Sequence, residues 1–390
     1  LYNSVHKKKA FVNQQIETRS LTMTHPDRQI IQFENGKIIT PDRPTLPFIE
    51  GDGVGTEVMR SARLVADAAV QKAYGTARGL DWLEVFAGEK ALSRTSNSLP
   101  TETLDAFREF RVGLKGPLNT PVAEGARSLN VALRRELDLF VNLRPVKYYP
   151  PVPSPLVHPE RVDVVLFREN TEDVYAGIEF DSGSPEAQIL LKHLKSKHPA
   201  QYARMRFPAT PALGIKPISP EGSRRIVRAA LEWALRNHRQ SLTLLHKGNI
   251  MKFTEGGFMK WGYDLAETEF GDRVYSLRAH KRQFAGKDAA AATKALQNAR
   301  ETGKLIVRDS IVDAAFETAI ARPEEMDVLV TTNLNGDYLS DALAALVGGL
   351  GIAPGANINF ETGDAVFEAV HGTAPDIAGR DRANPSSLIL

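Results

Sequence analysis

Short apolar runs that end in polar loops recur along the chain. The run Leu46 to Ile49 leads into the glycine-rich stretch EGDGVGT. Thr56 is placed to cap a helix, whose apolar residues Val58, Met59, Ala62, Val65, Ala66 and Ala69 then recur at helical spacing. The run in FRVGLKGPLNTP ends in turn chemistry. RSLNVALRRELDLFVNLRPV reads as a helix from about Ser128 followed by the strand LDLFVNLRP. RVDVVLFREN, SLTLLHKGN and DVLVTTNLNGD repeat the form, each a nearly continuous apolar run closed by a polar loop. Ser219 and Pro220 mark a helix start, with Ile226, Val227, Ala230, Leu231, Ala234 and Leu235 as its buried stripe. Strands of this kind alternating with amphipathic helices predict an α/β fold with a largely parallel sheet covered on both faces. The Ala- and Lys-rich segment 278–304 reads as a solvated surface insertion.

Composition changes this picture little. Of 390 residues 42% are hydrophobic and 25% charged, and the net charge of +2 gives no field that would attract nucleic acid or an acidic membrane. The absence of cysteine excludes disulfides, thiolate metal sites and cysteine nucleophiles, and favours a cytoplasmic protein. No apolar run has the length of a membrane span. Residues before Met23 read as extraneous, and the closing NPSSLIL reads as a chain cut inside an element.

Candidate chemistry lies where the strand-like runs end. GDGVGT fails the dinucleotide fingerprint, because Thr56 stands where the third glycine belongs; a tight strand-to-helix turn explains it as well. Ser128, Asn130 and Arg134 cluster at a helix start, Arg144 ends the next strand and Arg168 the one after. Guanidinium forks match carboxylates, so a small polyanion fits there, although each arginine alone would also serve as a surface ion pair. Asp337 and Asp341, four apart on an expected helix, offer hard oxygens to Mg²⁺ or Mn²⁺, and Asp313 could complete the set. Asp337 could equally complement a helix N-terminus. Tyr175 and Lys247 are candidate proton carriers, against the alternatives of a core tyrosine and a snorkelling lysine.

The motifs IEGDGVG, KGPLNTPV, RSLNVALRRELDL, LFRENTEDVYAGIE, LHKGNIMKFTEGGF, NLNGDYLSDALAALVGGLGIAPGANI and HGTAP, in this order, resemble the bacterial-type isocitrate dehydrogenases of the β-decarboxylating dehydrogenase family. The resemblance runs from about Leu46 to Leu390. It implies a doubly wound α/β fold that is not a Rossmann fold. A tail would occupy 1–45, a large domain 46–139 with 350–390, a small domain 140–172 with 220–349, and a clasp 173–219. It implies that Ser128, Asn130, Arg134, Arg144 and Arg168 hold the carboxylates of isocitrate, with Lys115 nearby. Tyr175 and Lys247 would be catalytic, and Asp313, Asp337 and Asp341 would hold the metal. Lys247 and Asp313 would reach in from the second subunit of a homodimer. The cofactor would meet Asn119, Thr120, Asn249, Glu368, His371, Gly372, Thr373, Ala374, Asp376, Ile377, Ala383 and Asn384. NADP-using relatives carry Lys and Tyr after HGTAP; Asp376 and Ile377, with Ala383, therefore imply NAD. The implied reaction is the metal-dependent oxidative decarboxylation of isocitrate to 2-oxoglutarate in the tricarboxylic acid cycle. Alternatives are a homoisocitrate or isopropylmalate dehydrogenase, or a non-catalytic regulatory subunit.

Overall fold

The computed structural model describes residues 28–119, 128–286 and 288–390. Among the described residues, eleven strands form one sheet. In spatial order they are Val274–Ser276, Leu305–Ile311, Ser241–His246, Val328–Thr331, Asp163–Glu169, Val141–Lys147, Pro354–Ile358, Ala365–Ala369, Val112–Lys115, Thr45–Ile49 and Asp81–Glu84. The first five are mutually parallel and so are the last four. Between these two blocks Val141–Lys147 and Pro354–Ile358 pair antiparallel with both neighbours. The parallel expectation therefore holds for the flanks and fails at the centre, where Asn142, Arg144 and Asn357 interrupt the apolar pattern.

Helices cover the sheet because their apolar stripes match it. Ile226, Val227, Ala230, Leu231 and Ala234, on the helix Pro220–Arg236, are fully buried against Val165, Phe167, Leu242 and Leu244. Ser219 caps that helix as expected, its hydroxyl accepting from the Gly222 amide at 2.9 Å. On the opposite face Leu339 and Leu343, from the helix Asn333–Leu346, pack with Val164, Leu166 and Leu329. Phe107, Phe110, Leu133 and Val366 form the core of the other block. Among the described residues no helix is long and apolar enough to cross a membrane.

Several local expectations change. The first long helix spans Gly55–Tyr74, so Thr56 lies inside its first turn and is not its cap. Its stripe is buried at Val58, Met59 and Ala62, whereas Val65 and Ala69 are exposed. The segment 278–304 holds two helices, Leu277–Phe284 and Ala289–Glu301, largely exposed but with Ala299 buried. Within the stretch read as a tail, Gln32–Glu34 and Lys37–Ile39 form a hairpin around Asn35 and Gly36, both at positive φ. An Asn-Gly pair is the usual signal for such a turn. A further small sheet pairs Ile178–Phe180 with Leu213–Ile215.

The glycine-rich turn has a packing role. Gly53 has φ +57°, and a Cβ there would lie 2.0 Å from the Thr373 carbonyl oxygen. That carbonyl accepts from the Val54 amide at 2.9 Å, which docks the HGTAP loop on the turn. Gly53→Ala is therefore expected to lower the thermal midpoint by several degrees: left-handed backbone alone costs a non-glycine about 1–2 kcal/mol. Gly372→Ala, where nothing lies within 4 Å, is expected to leave it unchanged. Calorimetry on the two variants checks both.

Candidate active site

The antiparallel centre of the sheet sets up a row of charges. Glu368 pairs in register with Gly355 on one side and with Lys115 on the other. Arg144 lies on the strand beyond Gly355. Lys115 Nζ is 3.1 Å from Glu368 Oε2, and Arg134 donates to Glu368 Oε1 at 2.7 Å. Arg144 Nε donates to Asn142 Oδ1 at 2.7 Å. Arg168, at the end of its strand, donates through Nε to Asn333 Oδ1 at 2.8 Å. All four cations and Glu368 are buried.

Such burial is costly unless charges are matched. Burial pulls Lys115 down from the ordinary lysine range, with Glu368 opposing. Burial likewise pulls Arg144 down to about 10 and lowers Arg168. Burial pushes the Glu368 carboxyl up, but Arg134, Lys115 and Arg144 together hold it well below the usual range. Glu368 is thus ionised, a buried carboxylate set among the four cations. Arg134 Nε and Asn130 Oδ1 are buried without a partner among the described residues. Ser128 precedes the helix Leu129–Glu136 that carries both. An anion with several carboxylates would supply the missing charge.

Next to this row stands the helix Asn333–Leu346 with Asp337 and Asp341 one turn apart. Gly336 lets it approach, since a Cβ there would lie 2.6 Å from Arg168 Cγ. Arg168 pairs with Asp337, and Tyr175 Oη donates to Asp337 Oδ2 at 2.5 Å. The Arg168 guanidinium also lies over the Tyr175 ring, 4.9 Å from its centroid. Asp341 is half-exposed, 3.9 Å from Arg144. Burial raises its carboxyl, with Arg144 opposing and Asp337 adding to the rise. Two carboxylates one helical turn apart offer hard oxygen ligands of the kind that suit a divalent cation.

Lys247 and Asp313 form an ion pair with each other. Among the described residues no three acidic or histidine side chains come together as a metal-binding group, so this chain does not itself bring Asp313 to Asp337 and Asp341.

The expected cofactor residues divide. His371, Gly372, Thr373, Ala374, Asp376 and Ile377 follow one another along the loop after Ala365–Ala369, with Asp376 exposed and Ala374 at φ +38°. Ala383 packs beside Phe48, Val58 and Leu388, and Asn384 Oδ1 accepts from the Ser386 amide at 3.0 Å. Asn119 donates its amide to Asp52 Oδ2 at 2.8 Å and its side chain to Glu89 Oε1 at 3.2 Å. Asn249 is exposed in the turn after Lys247, and Thr120 lies outside the described residues. Glu368 is not with the loop: the structure encloses it among the cations.

Sequence reasoning missed the buried polar residues that aim these groups. Asn357 Oδ1 accepts from Asn142 at 2.8 Å and from Asn170 at 3.0 Å, which fixes the amide that orients Arg144. Asp52, buried, accepts from the Glu89 amide at 2.9 Å as well as from Asn119. The available signal was an Asn or Asp inside an apolar run or a glycine turn.

The description isocitrate/isopropylmalate dehydrogenase matches residues 45–390. The chain belongs to the isocitrate/isopropylmalate dehydrogenase family. A Staphylococcus epidermidis protein named isocitrate dehydrogenase [NADP] is 53% identical over 362 residues, 93% of this chain and 85% of that protein. A Staphylococcus aureus protein of the same name is 54% identical over 350 residues, 90% and 82% of the two chains. The crystal structure of isocitrate dehydrogenase from Methylococcus capsulatus superposes with a TM-score of 0.67 at 35% identity, covering 88% of this chain and 82% of that one.

The family and its α/β fold agree with the resemblance, whereas the NAD expectation is overturned by the NADP in the relatives' names. The physical reason lies in the loop. Asp376 is exposed, and two like charges about 4 Å apart in bulk water repel by only about 1 kcal/mol, less with salt. Arg380 and Arg382, on the same loop, are also exposed and are in no ion pair among the described residues.

Burial, aided by Asp337, pushes Tyr175 up to about 12. A raised folded pKa contributes stability that is fully present below the unfolded value near 10 and lost as pH rises through the folded value. The stability difference between wild type and Tyr175→Phe is therefore expected to stay flat from pH 7 to 9 and to shrink above pH 10. Denaturant titrations across that range check it.

Proposed function

We propose that this chain is an NADP-linked isocitrate dehydrogenase that converts isocitrate to 2-oxoglutarate and CO₂. The observation that carries this reading is the buried row Lys115, Arg134, Arg144 and Arg168, under-compensated by Glu368 and set beside Tyr175, Asp337 and Asp341. The relatives' names supply the substrate and the cofactor.

The residues assign the steps. The four cations, with Ser128 and Asn130, hold the substrate carboxylates; bidentate guanidinium contacts fix orientation as well as charge. Asp337 and Asp341 would hold a divalent cation, Mg²⁺ or Mn²⁺, with Asp313 of a second copy. When bound, such an ion supplies electrostatic stabilisation to negative charge developing on substrate oxygens. The 371–384 loop would hold NADP⁺, which when bound supplies the hydride acceptor. Lys247, also from a second copy, helps remove the hydroxyl proton as the hydride leaves the same carbon. The β-keto acid then loses CO₂, and Tyr175 delivers its proton to the carbon left behind. With its pKa at about 12, Tyr175 carries that proton throughout the neutral range. A homodimer follows from this assignment, since Lys247 and Asp313 pair apart from the Asp337 group.

Three measurements test the reading. Turnover of isocitrate with Mn²⁺ is expected at higher kcat/KM for NADP⁺ than for NAD⁺; the reverse order would reject the cofactor assignment. Asp337→Asn is expected to raise the Mn²⁺ concentration for half-maximal activity at least about tenfold, since a charged ligand contributes on the order of 1.5–3 kcal/mol. An unchanged Mn²⁺ titration would remove Asp337 from the ligand set. Replacing Arg380 and Arg382 together with Gln is expected to weaken NADP⁺ about tenfold and leave NAD⁺ unaffected, the loss of one charge-assisted contact to a 2′-phosphate.

A further inference from the structure

One cluster of buried charge takes no part in the steps above. Lys216, just after the strand Leu213–Ile215, places Nζ 2.6 Å from Asp173 Oδ1 and 2.7 Å from Glu255 Oε1. Both carboxylates are fully buried. Residues 173, 216 and 255 come from three separate parts of the chain, so the ammonium is a cross-link between elements.

What the two carboxylates hold is informative. Asp173 opens the short turn Asp173–Ala176 that carries Tyr175. Its Oδ1 accepts from the Val174 amide at 2.7 Å, and its Oδ2 from the Leu334 amide at 2.9 Å. Leu334 lies in the first turn of the helix that bears Asp337 and Asp341, where a carboxylate meets the positive end of the helix dipole. Asp173 sits at φ +70°, a left-handed backbone that a non-glycine residue keeps only when its surroundings enforce it. Glu255 Oε2 accepts from the Lys247 amide at 2.9 Å and from Asn335 Nδ2 at 2.8 Å, while Oε1 accepts from Thr332 Oγ1 at 2.8 Å. Every oxygen of the two carboxylates has a protein donor. The cluster has no vacancy for a ligand, and its consequence is geometric.

We propose that Lys216 is a positioning residue: by tying Asp173 to Glu255 it fixes, in one rigid unit, the turn of Tyr175, the start of the helix bearing Asp337 and Asp341, and the turn of Lys247. The two proton carriers then keep their orientation through a charge that touches neither. Because Lys247 is assigned to the site of a second copy, the same unit also ties the geometry of one site to that of the other. The catalytic part of this inference rests on the isocitrate reading above; the structural part does not.

Lys216→Met keeps the length of the side chain and removes its charge. In the full-length protein it is expected to speed amide hydrogen exchange about tenfold in peptides covering 173–177, 247–253 and 332–337 together, with the rest of the sheet unchanged. With isocitrate, NADP⁺ and Mn²⁺, kcat is expected to fall about 100-fold, the effect of a misplacement near 1 Å, while KM for isocitrate changes little. Exchange that rises in only one of the three segments, or a kcat equal to wild type, overturns the proposal. If Lys216→Met does not fold, Glu255→Gln, which keeps an acceptor for the Lys247 amide, is expected to loosen the 173–177 and 247–253 segments together; loosening of 247–253 alone overturns it. A wild-type chain inactive on isocitrate would refute the substrate reading, and the exchange pattern would still decide the positioning role.

Discussion

The structure is organised around the cost of burying positive charge. Lys115, Arg134, Arg144 and Arg168 lie in the interior of a sheet protein, where an isolated ion is unfavourable by several kcal/mol. Glu368 offsets part of this, and Arg134, Lys115 and Arg144 favour its ionised form against the cost of burial. Asp337 and Asp341 stand at the rim, half in solvent. The folded protein therefore carries an unspent electrostatic attraction for anions at a fixed place, and in the proposed mechanism the exchangeable partner of that attraction is the substrate.

This constraint explains why the centre of the sheet is antiparallel. A parallel sheet buried on both faces is a row of aliphatic residues, and nothing in its middle can present charge without breaking the row. Strand Val141–Lys147 reverses direction between the two parallel blocks; its Asn142 donates to Asn357 across the pairing and accepts from Arg144. The ends of strands from both blocks thereby meet around one cation row: Lys115 from one, Arg168 from the other.

What was legible in the sequence follows from the same physics. Alternating apolar runs and amphipathic stripes read correctly because their burial is local and periodic, as in the helix Pro220–Arg236. The arginines and the Asp337–Asp341 pair were visible because they sit at the ends of those runs. Three things were not legible. Strand direction at the centre depends on pairings between residues more than 200 positions apart, such as Leu143 with Ala356. The place of Glu368 among the cations depends on the same pairings. The effect of Asp376 was misjudged because a charge in a motif says nothing of its dielectric: the residue is exposed, where repulsion between like charges is weak.

The polar residues that make no contact with substrate in the proposed mechanism complete the argument. Asn142, Asn357 and Asn170 aim Arg144; Asn333 aims Arg168; Asp173, Lys216 and Glu255 hold the segments of Tyr175 and Lys247. All but the partly exposed Lys216 are buried and every one is hydrogen-bonded or ion-paired, which is the condition under which a polar group in a core rigidifies rather than destabilises. A candidate acid on a four-residue turn and a candidate base on a loop would each sample many orientations if left to local structure alone. Tying both to carboxylates inside the core transfers the rigidity of the sheet to groups that must themselves stay accessible. The reactive side chains can then be partly exposed, as Tyr175 and Lys247 are, because the atoms that orient them are not.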